Sequence, residues 1–440
     1  MAPMASMAHQ APLTHPVAFL ARRAATALAA AVVLGAAAAP AAYAAESPSA
    51  SAKKLPDGLY GTTDPKYDGV WRQSLALLAQ DSVGLRPAAS AVRWLAGQQC
   101  ADGAFTAFRA DPGKACDAKT MRDTNQTAAA VQALAALGGH GEAVKKAVDW
   151  LKSVQNDDGG WSSMPGSASD ANSTSVVIGA LAAAGEKPQS VTSKKGGKTP
   201  YDGLLTFQLG CDEKEGERGA FTFQLKGAAP NADATAAAAT GALGKGFVVA
   251  PAGPRANTPV KALNCKDGGD KQAEKVDEAG KGDPGQAAEG GAAYLVAQLD
   301  KNGQHLLSAM PGAEKQPDVG NTADAVVALA AGGHGAAAAK PLKWLEKNAA
   351  DWAKQSGPAA YAQLVLAAHA TGTDPRSFGG TDLVAALNAT GPKPGAAPAK
   401  DSGDDASDGG GMGMWWVIGV GLALGAGIGF LLSGRKKSRL

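Results

Sequence analysis

The sequence predicts an all-α fold, with a helical domain over residues 65–390 and one further helix near the C-terminus that spans a membrane. Three observations support this. Apolar residues recur at helical spacing throughout 65–390. Gly, Pro and Asn-Asp clusters interrupt that spacing, and alternating Val/Ile/Thr runs typical of strands are almost absent. A 19-residue segment without charge lies at 414–432.

The N-terminus is typical of an export signal, predicted over residues 1–45. Arg22 and Arg23 precede an apolar Ala/Val/Leu run, and an Ala-Tyr-Ala sequence at 42–44 offers a cleavage site. The paired arginines allow twin-arginine export, but the other residues of that signal are missing, so general secretion is favoured. Residues 46–64 then form an N-terminal linker.

Twelve helices are predicted in the central domain, which makes six helical hairpins if neighbours pair. They are expected near 67–80, 87–99, 124–137, 141–154, 171–184, 200–209, 233–243, 286–299, 320–332, 336–349, 358–371 and 380–389.

The predicted helices alternate between two sequence types, which indicates a repeat array. The first type has a large apolar anchor, Gln four residues later, and then an acidic or Gly turn with an aromatic residue. It occurs as LAGQQCADGAF (95–105), LKSVQNDDGGW (151–161), LLTFQLGCDEKEGERGAF (204–221) and, more weakly, YLVAQLDKNGQH (294–305).

The second type opens with Asp or Asn, has Thr four residues later, and continues with small residues. Its members are Asp123 with Thr127, Asp170 with Thr174, Asn231 with Thr235, and Asp318 with Thr322. An Asp or Asn before a helix accepts a hydrogen bond from a free N–H of the first turn and stabilises the helix by about 1 kcal/mol. A further helix at 357–372 departs from the pattern, with Gly357 and Tyr361 at the equivalent positions.

The four cysteines lie in the exported part of the chain, so two disulfides are expected. Of the three pairings, Cys100–Cys116 with Cys211–Cys265 is favoured because each pair closes one loop after a helix. A zinc site is disfavoured, since no C-x2-C spacing or neighbouring His occurs. A polar, Gly/Pro-rich insertion at 244–285 contains Cys265 and is interpreted as a flap beside a cavity.

The C-terminal region predicts a membrane anchor. Residues 391–413 form a flexible linker, 414–432 a transmembrane helix, and 433–440 a basic cytoplasmic tail, so the large domain is extracellular. Three glycines at four-residue spacing suit packing against a second copy or a membrane transporter, although glycine is common in this chain: Gly421, Gly425 and Gly429. The net charge is only +2 and the charged residues are mixed along the chain rather than collected in a basic patch, so nucleic acid is excluded as a partner. No cofactor is predicted.

The anchor-x3-Gln pattern, the Gly-Gly-aromatic turn and the Asp-x3-Thr-Ala helix together resemble the repeats of the prenyltransferase and squalene cyclase α/α toroid superfamily. The resemblance covers about residues 65–390. It implies an α6/α6 toroid, in which the Asp-x3-Thr helices form an inner ring and the anchor-Gln helices an outer ring.

The superfamily includes terpene cyclases, protein prenyltransferases, complement thioester domains and cobalamin carriers, so the fold alone does not select a function. The acid cluster, zinc set and thioester segment of the catalytic members are not found; the nearest acid match, DSGDD at 401–405, lies in the linker. Catalysis is therefore disfavoured. His140 and His334 follow Gly-Gly at helix ends and are interpreted as turn residues.

The resemblance is nearest to the cobalamin carriers, although their second, β domain has no counterpart here. It implies a membrane-anchored extracellular toroid that binds a cobalamin-like or lipid-derived small molecule without transforming it. The alternatives are a divergent terpene cyclase or prenyltransferase-like enzyme, favoured by a cavity with aromatics and paired acids, and a surface scaffold with an occluded cavity. The expected ligand-binding residues are Asp123, Asn125, Gln126, Thr127, Asp170, Asn172, Thr174, Asn231, Asp233, Thr235, Asp318, Asn321, Thr322, Tyr361 and Gln363.

Overall fold

The computed structural model describes residues 56–224, 228–251, 257–263, 265, 282–309 and 312–396. The predicted export signal, most of the N-terminal linker, the transmembrane helix with its glycines and the basic tail lie outside these residues. Within the described part of the chain, every helix is too short or too polar to cross a membrane.

The described residues form thirteen α-helices, and each of the twelve predicted helices is among them. Their bounds are α1 Gly69–Ser82, α2 Ala89–Gly97, α3 Thr124–Leu137, α4 Gly141–Ser153, α5 Ala171–Ala183, α6 Pro200–Leu205, α7 Ala232–Ala242, α8 Pro284–Lys301, α9 Val319–Ala331, α10 Gly335–Asn348, α11 Ala350–Ser356, α12 Pro358–Thr371 and α13 Leu383–Asn388. The short helix α11 was not predicted.

Strands are minor in the described residues, as the sequence predicts. Leu85–Arg86 pairs antiparallel with Gly395–Ala396, and Leu306–Leu307 pairs antiparallel with Pro317–Asp318. Two 3-10 turns, Pro188–Ser190 and Pro375–Ser377, lie in loops before outer helices.

Six helices contact one another in a closed cycle, and we call them the inner helices. Their order is α1, α3, α5, α7, α9 and α12, and α12 packs back against α1. The remaining helices lie outside this ring; α4, for example, packs against α3 and α5. The fold is thus helical and ring-shaped, as an α/α toroid is.

Small residues allow the inner helices to approach closely. A Cβ at Gly241 of α7 would lie 2.8 Å from the Cβ of Ser175 on α5, a separation that side-chain carbons do not tolerate. Ala128, Ala130 and Ala133 of α3 are fully buried. The Ala- and Gly-rich composition of the second helix type is therefore a packing requirement of a narrow ring.

The Asp-x3-Thr pattern joins each inner helix to the loop before it. The side chain of Asp123 accepts hydrogen bonds from the N–H groups of Asn125 and Gln126, and thereby caps α3. Thr127 Oγ1 accepts a hydrogen bond from the N–H of Phe105, the aromatic residue of the preceding turn, at 2.8 Å. The same bond recurs from Trp161 to Thr174 (3.0 Å), from Phe221 to Thr235 (2.9 Å) and from Leu306 to Thr322 (3.0 Å).

The anchor-x3-Gln pattern holds the turn that follows each outer helix. Gln99 Nε2 donates to the carbonyl of Gly103 at 3.0 Å and to that of Ala143, at the start of the next outer helix, at 2.8 Å. Gly103 has a positive φ of 96°, and a Cβ there would lie 2.2 Å from the carbonyl oxygen of Lys146. Glycine is therefore required where the turn touches the next repeat.

The predicted disulfides are confirmed: Cys100 bonds to Cys116 and Cys211 to Cys265. The second bridge attaches the insertion to the turn after α6. A second attachment comes from His334, which is buried and whose Nδ1 lies 2.8 Å from the carbonyl oxygen of Thr258. This histidine therefore positions the insertion, consistent with its interpretation as a turn residue.

Candidate functional site

A cavity of about 310 Å³ lies within the ring and is lined by residues from all six inner helices. The start of the insertion, Lys245, Gly246 and Phe247, also lines it. Its amide- and carboxylate-bearing residues are Asn125, Gln132, Asn172, Asp233, Asp324 and Gln363. Its large apolar residues are Trp71, Leu75, Val176, Phe247, Val327 and Leu366.

The repeat explains which positions face the cavity. Two residues after the capping residue stand Asn125, Asn172 and Asp233 in three successive inner helices. Six residues after it stand Asp324 in α9 and Gln363 in α12. Positions two and six are four residues apart, so they share one helix face. The ring brings these residues together although they are distant in sequence.

Asp233 is held by an amide from the neighbouring inner helix. Asn172 Nδ2 donates a hydrogen bond to Asp233 Oδ2 at 2.8 Å. Burial raises the pKa of Asp233, the bond from Asn172 opposes that rise, and repulsion from Asp318 and Asp170 adds to it. The negative charge of the Asp233 carboxylate is therefore largely shielded from water and, among the described residues, is stabilised by only one hydrogen bond, that from Asn172.

Asp324 also lies beside an amide from the neighbouring inner helix, and its pKa is raised further. Gln363 Nε2 lies 3.3 Å from each oxygen of its carboxyl group. Burial raises the pKa of Asp324 to about 7, with a further contribution from the charge of Asp233 and an opposing one from Gln363. Near neutral pH this group exists in both protonation states, so it can donate or accept a proton in the cavity.

Two amide oxygens add further acceptors to the carboxyl groups. Asn125 Oδ1 and Asn172 Oδ1 are buried and accept no hydrogen bond from the described residues. For Asn172 the orientation of the amide follows from its nitrogen, which donates to Asp233. Buried acceptors without a partner cost stability and are rare in folded proteins.

The apolar part of the cavity is formed by an aromatic pair and the start of the insertion. Trp71 and Phe247 pack edge to face, with ring centroids 5.2 Å apart. Gln132 fixes the insertion here, because its Oε1 accepts the N–H of Phe247 at 2.9 Å and its Nε2 donates to the carbonyl of Val176 at 3.2 Å. The insertion is therefore part of the cavity wall, as the flap interpretation expects.

The structure brings four of the expected ligand-binding residues to the cavity: Asn125, Asn172, Asp233 and Gln363. The others lie elsewhere. Asp123, Asp170, Asn231 and Asp318 cap α3, α5, α7 and α9. Gln126 Nε2 donates to the carbonyl of Tyr67, Asn321 Nδ2 donates to Asp318, and Tyr361 packs against the core.

The threonines require a correction. We expected their hydroxyls to face a ligand, but all four are fully buried and accept backbone N–H groups of the preceding turns: Thr127, Thr174, Thr235 and Thr322. Because each hydroxyl bonds the turn that precedes its helix, these threonines stabilise the repeat.

Sequence reasoning missed Asp324, Trp71, Gln132 and Phe247. Asp324 carries a usable signal, because a carboxylate within the Ala/Val-rich sequence TADAVVAL is rarely buried without a functional reason. Trp71 and Phe247 carry none, since only the closed ring brings α1 and the insertion together. Within the described residues, no group of three or more His, Cys, Asp or Glu side chains is arranged to hold a metal ion.

Residues 71–201 match the family model of the prenyltransferase α/α toroid domain. No curated protein matches the chain. Among solved structures, the chain is similar to a protein from Actinoplanes, at 14% sequence identity and a TM-score of 0.28, over 68% of this chain and 100% of that one. A similarity at that score carries no argument about function.

Proposed function

We propose that this chain, whose residues 71–201 match the prenyltransferase α/α toroid domain, is an extracellular α6/α6 toroid whose central cavity binds a small molecule. The observation that carries the proposal is the cavity with Asp233 and Asp324 on its wall. Burying two carboxyl groups close enough to repel each other destabilises a fold. Residues that oppose stability in this way are most often retained for function.

The size of the cavity limits the ligand. A volume of about 310 Å³ is at the lower end of the range of about 300–1,000 Å³ typical of small-molecule sites. A whole corrinoid is much larger, so a cobalamin-like ligand is disfavoured in this cavity. A compact molecule or the end of a lipid-derived chain fits the volume better.

The proposed setting is the outer surface of a cell membrane. The two disulfides indicate an oxidising compartment. We propose that the segment 414–432 anchors the domain and that the bound molecule is passed to a membrane transporter.

The test of ligand binding uses the full-length chain, purified in detergent, and two variants. Ala237→Phe fills the cavity, because Ala237 lines it, and Ala339→Phe makes the same change at an exposed position of α10. Thermal shift is measured with small amphiphiles, polyprenyl phosphates, corrinoids and cell-wall fragments. We expect a compact compound to stabilise the parent and Ala339→Phe, but not Ala237→Phe. Absence of any shift in the parent would reject the proposal.

A second candidate function is acid catalysis, which the ionisation of Asp324 favours. A carboxyl group with a pKa of about 7 on the wall of a cavity is suited to general acid chemistry at neutral pH. Mass analysis of polyprenyl substrates incubated with the parent and with Asp324→Asn tests this function. A product that forms only with the parent would replace the binding proposal by an enzymatic one.

A further inference from the structure

We propose that the ligand of this cavity is an organic cation, a compact apolar molecule with a primary or secondary ammonium group that binds between Asp233 and Asp324. This inference rests on the proposed function, because it requires that the cavity binds a small molecule. It goes further by naming the chemical class of that molecule.

The hydrogen-bonding groups of the cavity favour a donor. Asp233 and Asp324 present carboxyl oxygens, and Asn125 and Asn172 present amide oxygens that accept no bond from the described residues. The amide nitrogens of Asn172 and Gln363 are already directed at the two carboxyl groups. A ligand that donates several hydrogen bonds would therefore satisfy groups that the protein leaves without partners. An ammonium group has two or three such donors.

The charge of the cavity favours a cation. Each carboxyl group is perturbed by burial and by other carboxylates, and no Lys or Arg contributes to the pKa of either one. Lys245 also lines the cavity, but it is exposed, and its charge does not contribute to the pKa of Asp233 or of Asp324. A bound ammonium group would supply the counter-charge, and in a poorly solvated site that interaction is stronger than in water.

The remaining wall favours a compact apolar body attached to the ammonium group. Leu75, Val176, Val327 and Leu366 line the cavity together with the Trp71–Phe247 pair. Aromatic faces also attract alkylammonium groups through their π electrons. A metal cation fits less well, because the described residues contain no group of three or more His, Cys, Asp or Glu side chains that could hold one, and the apolar side chains of this wall add no ligands.

The experiment measures the binding of three probes of similar size by titration calorimetry. The full-length chain is titrated at pH 8 with 2-phenylethylammonium, 2-phenylethanol and 3-phenylpropionate, and separately with calcium chloride. We expect the ammonium compound to bind at least about tenfold more tightly than the alcohol, since a charge-assisted hydrogen bond contributes more than a neutral one. We expect the carboxylate and calcium not to bind.

Two variants and a matched control locate the interaction. Asp233→Asn and Asp324→Asn are each expected to weaken binding of the ammonium compound about tenfold and to leave the alcohol little changed. Asp351→Asn, at an exposed position of α11, is expected to change neither. Circular dichroism confirms that each variant is folded. If a variant does not fold, the comparison of the three probes on the parent protein still tests the proposal.

The outcomes separate this inference from the proposed function. Equal binding of the alcohol and the ammonium compound, or tighter binding of the carboxylate or calcium, would overturn the cation while leaving a ligand-binding cavity. If 2-phenylethylammonium binds Asp233→Asn and Asp324→Asn as tightly as it binds the parent, the proposed cation site is also overturned. If none of the probes binds and the wider compound panel gives no shift, both proposals fail.

Discussion

Asn172 Nδ2 donates a hydrogen bond to Asp233 Oδ2 across 2.8 Å, and the two residues hold the same position of the repeat in adjacent inner helices. The bond shows how a repeated architecture produces a specific site. The inner helices α3, α5 and α7 each present one polar side chain to the cavity two residues after the cap. Where this residue is an amide in α5 and an acid in α7, the amide holds the acid in position.

The ionisation of Asp324 predicts a pH-dependent effect of the Asp324→Asn substitution. Its folded-state pKa of about 7 is above the unfolded value of 3.8, so the folded protein retains the proton between these values. Stability is therefore lost as the pH rises from about 3.8 to about 7, because unfolding then releases the proton that the folded carboxyl group keeps beside Asp233, and the loss is complete above about 7. The amide cannot ionise, so the variant is expected to be more stable than the parent at pH 8, by at most about 4 kcal/mol.

Urea denaturation of parent and Asp324→Asn at pH 5 and pH 8 checks this expectation. At pH 5 the folded parent is largely protonated at Asp324 but its unfolded chain is largely ionised there, so only part of the loss, about 2 kcal/mol, has accumulated, and the difference between the two proteins should be smaller than at pH 8. Asp351→Asn serves as the control for loss of a carboxylate. A difference of the same size at both pH values would show that Asp324 is not the titrating group.

Removal of the Thr127 hydroxyl is expected to release the turn before α3. In Thr127→Val the N–H of Phe105 loses its acceptor in the buried interior, which costs about 1–3 kcal/mol. Hydrogen exchange at the Phe105 amide should accelerate in this variant. In Thr127→Ser the acceptor remains, and the amide should stay protected even though a buried methyl group is lost.

A methyl group at position 179 is expected to displace the start of the insertion. The Cβ of Gly179→Ala would lie 2.7 Å from the Cα of Gly246 and 3.1 Å from the carbonyl oxygen of Lys245. Hydrogen exchange over 244–251 should therefore increase. Gly97→Ala, where the new Cβ has only an ordinary contact at 3.8 Å, is the matched helical control. Unchanged exchange in Gly179→Ala would mean that the insertion is not held against α5.

The proposed membrane anchor predicts a change of fractionation. Deletion of residues 414–440 removes the apolar segment and the basic tail, so the protein should move from the membrane fraction to the medium. Deletion of 397–413 shortens only the linker and should leave the protein in the membrane fraction. If the variant that lacks residues 414–440 stays with membranes after a salt wash, the proposed anchor is wrong.

Much of the fold could be predicted from the sequence because the repeat is local. Helical spacing, capping residues and glycine turns act within a few residues, and they placed the helices of both rings. The helix predicted at 200–209 ends earlier, at Leu205, because Leu209 bonds instead to the turn at Ala220. Long-range pairing of this kind leaves little signal in helical periodicity.

The site was only partly predictable, because it depends on which residues the ring brings together. Asn125, Asn172 and Asp233 were expected from their place near the caps. Asp324 lies one turn further along its helix, and it reaches the same cavity because α9 contributes Gly320 at the earlier position. Phe247 belongs to an insertion without any repeat pattern, so its packing on Trp71 could be found only from the structure.

The most direct test of the central claim is photochemical labelling of the cavity in the full-length chain. A diazirine-bearing phenylethylammonium compound is irradiated with the protein, and the labelled peptides are identified by mass spectrometry. We predict labels on α7, α9 and residues 245–247, competed by unmodified 2-phenylethylammonium and absent from Ala237→Phe. Labels confined to the outer helices, or labelling that Ala237→Phe leaves unchanged, would contradict a ligand site within the ring.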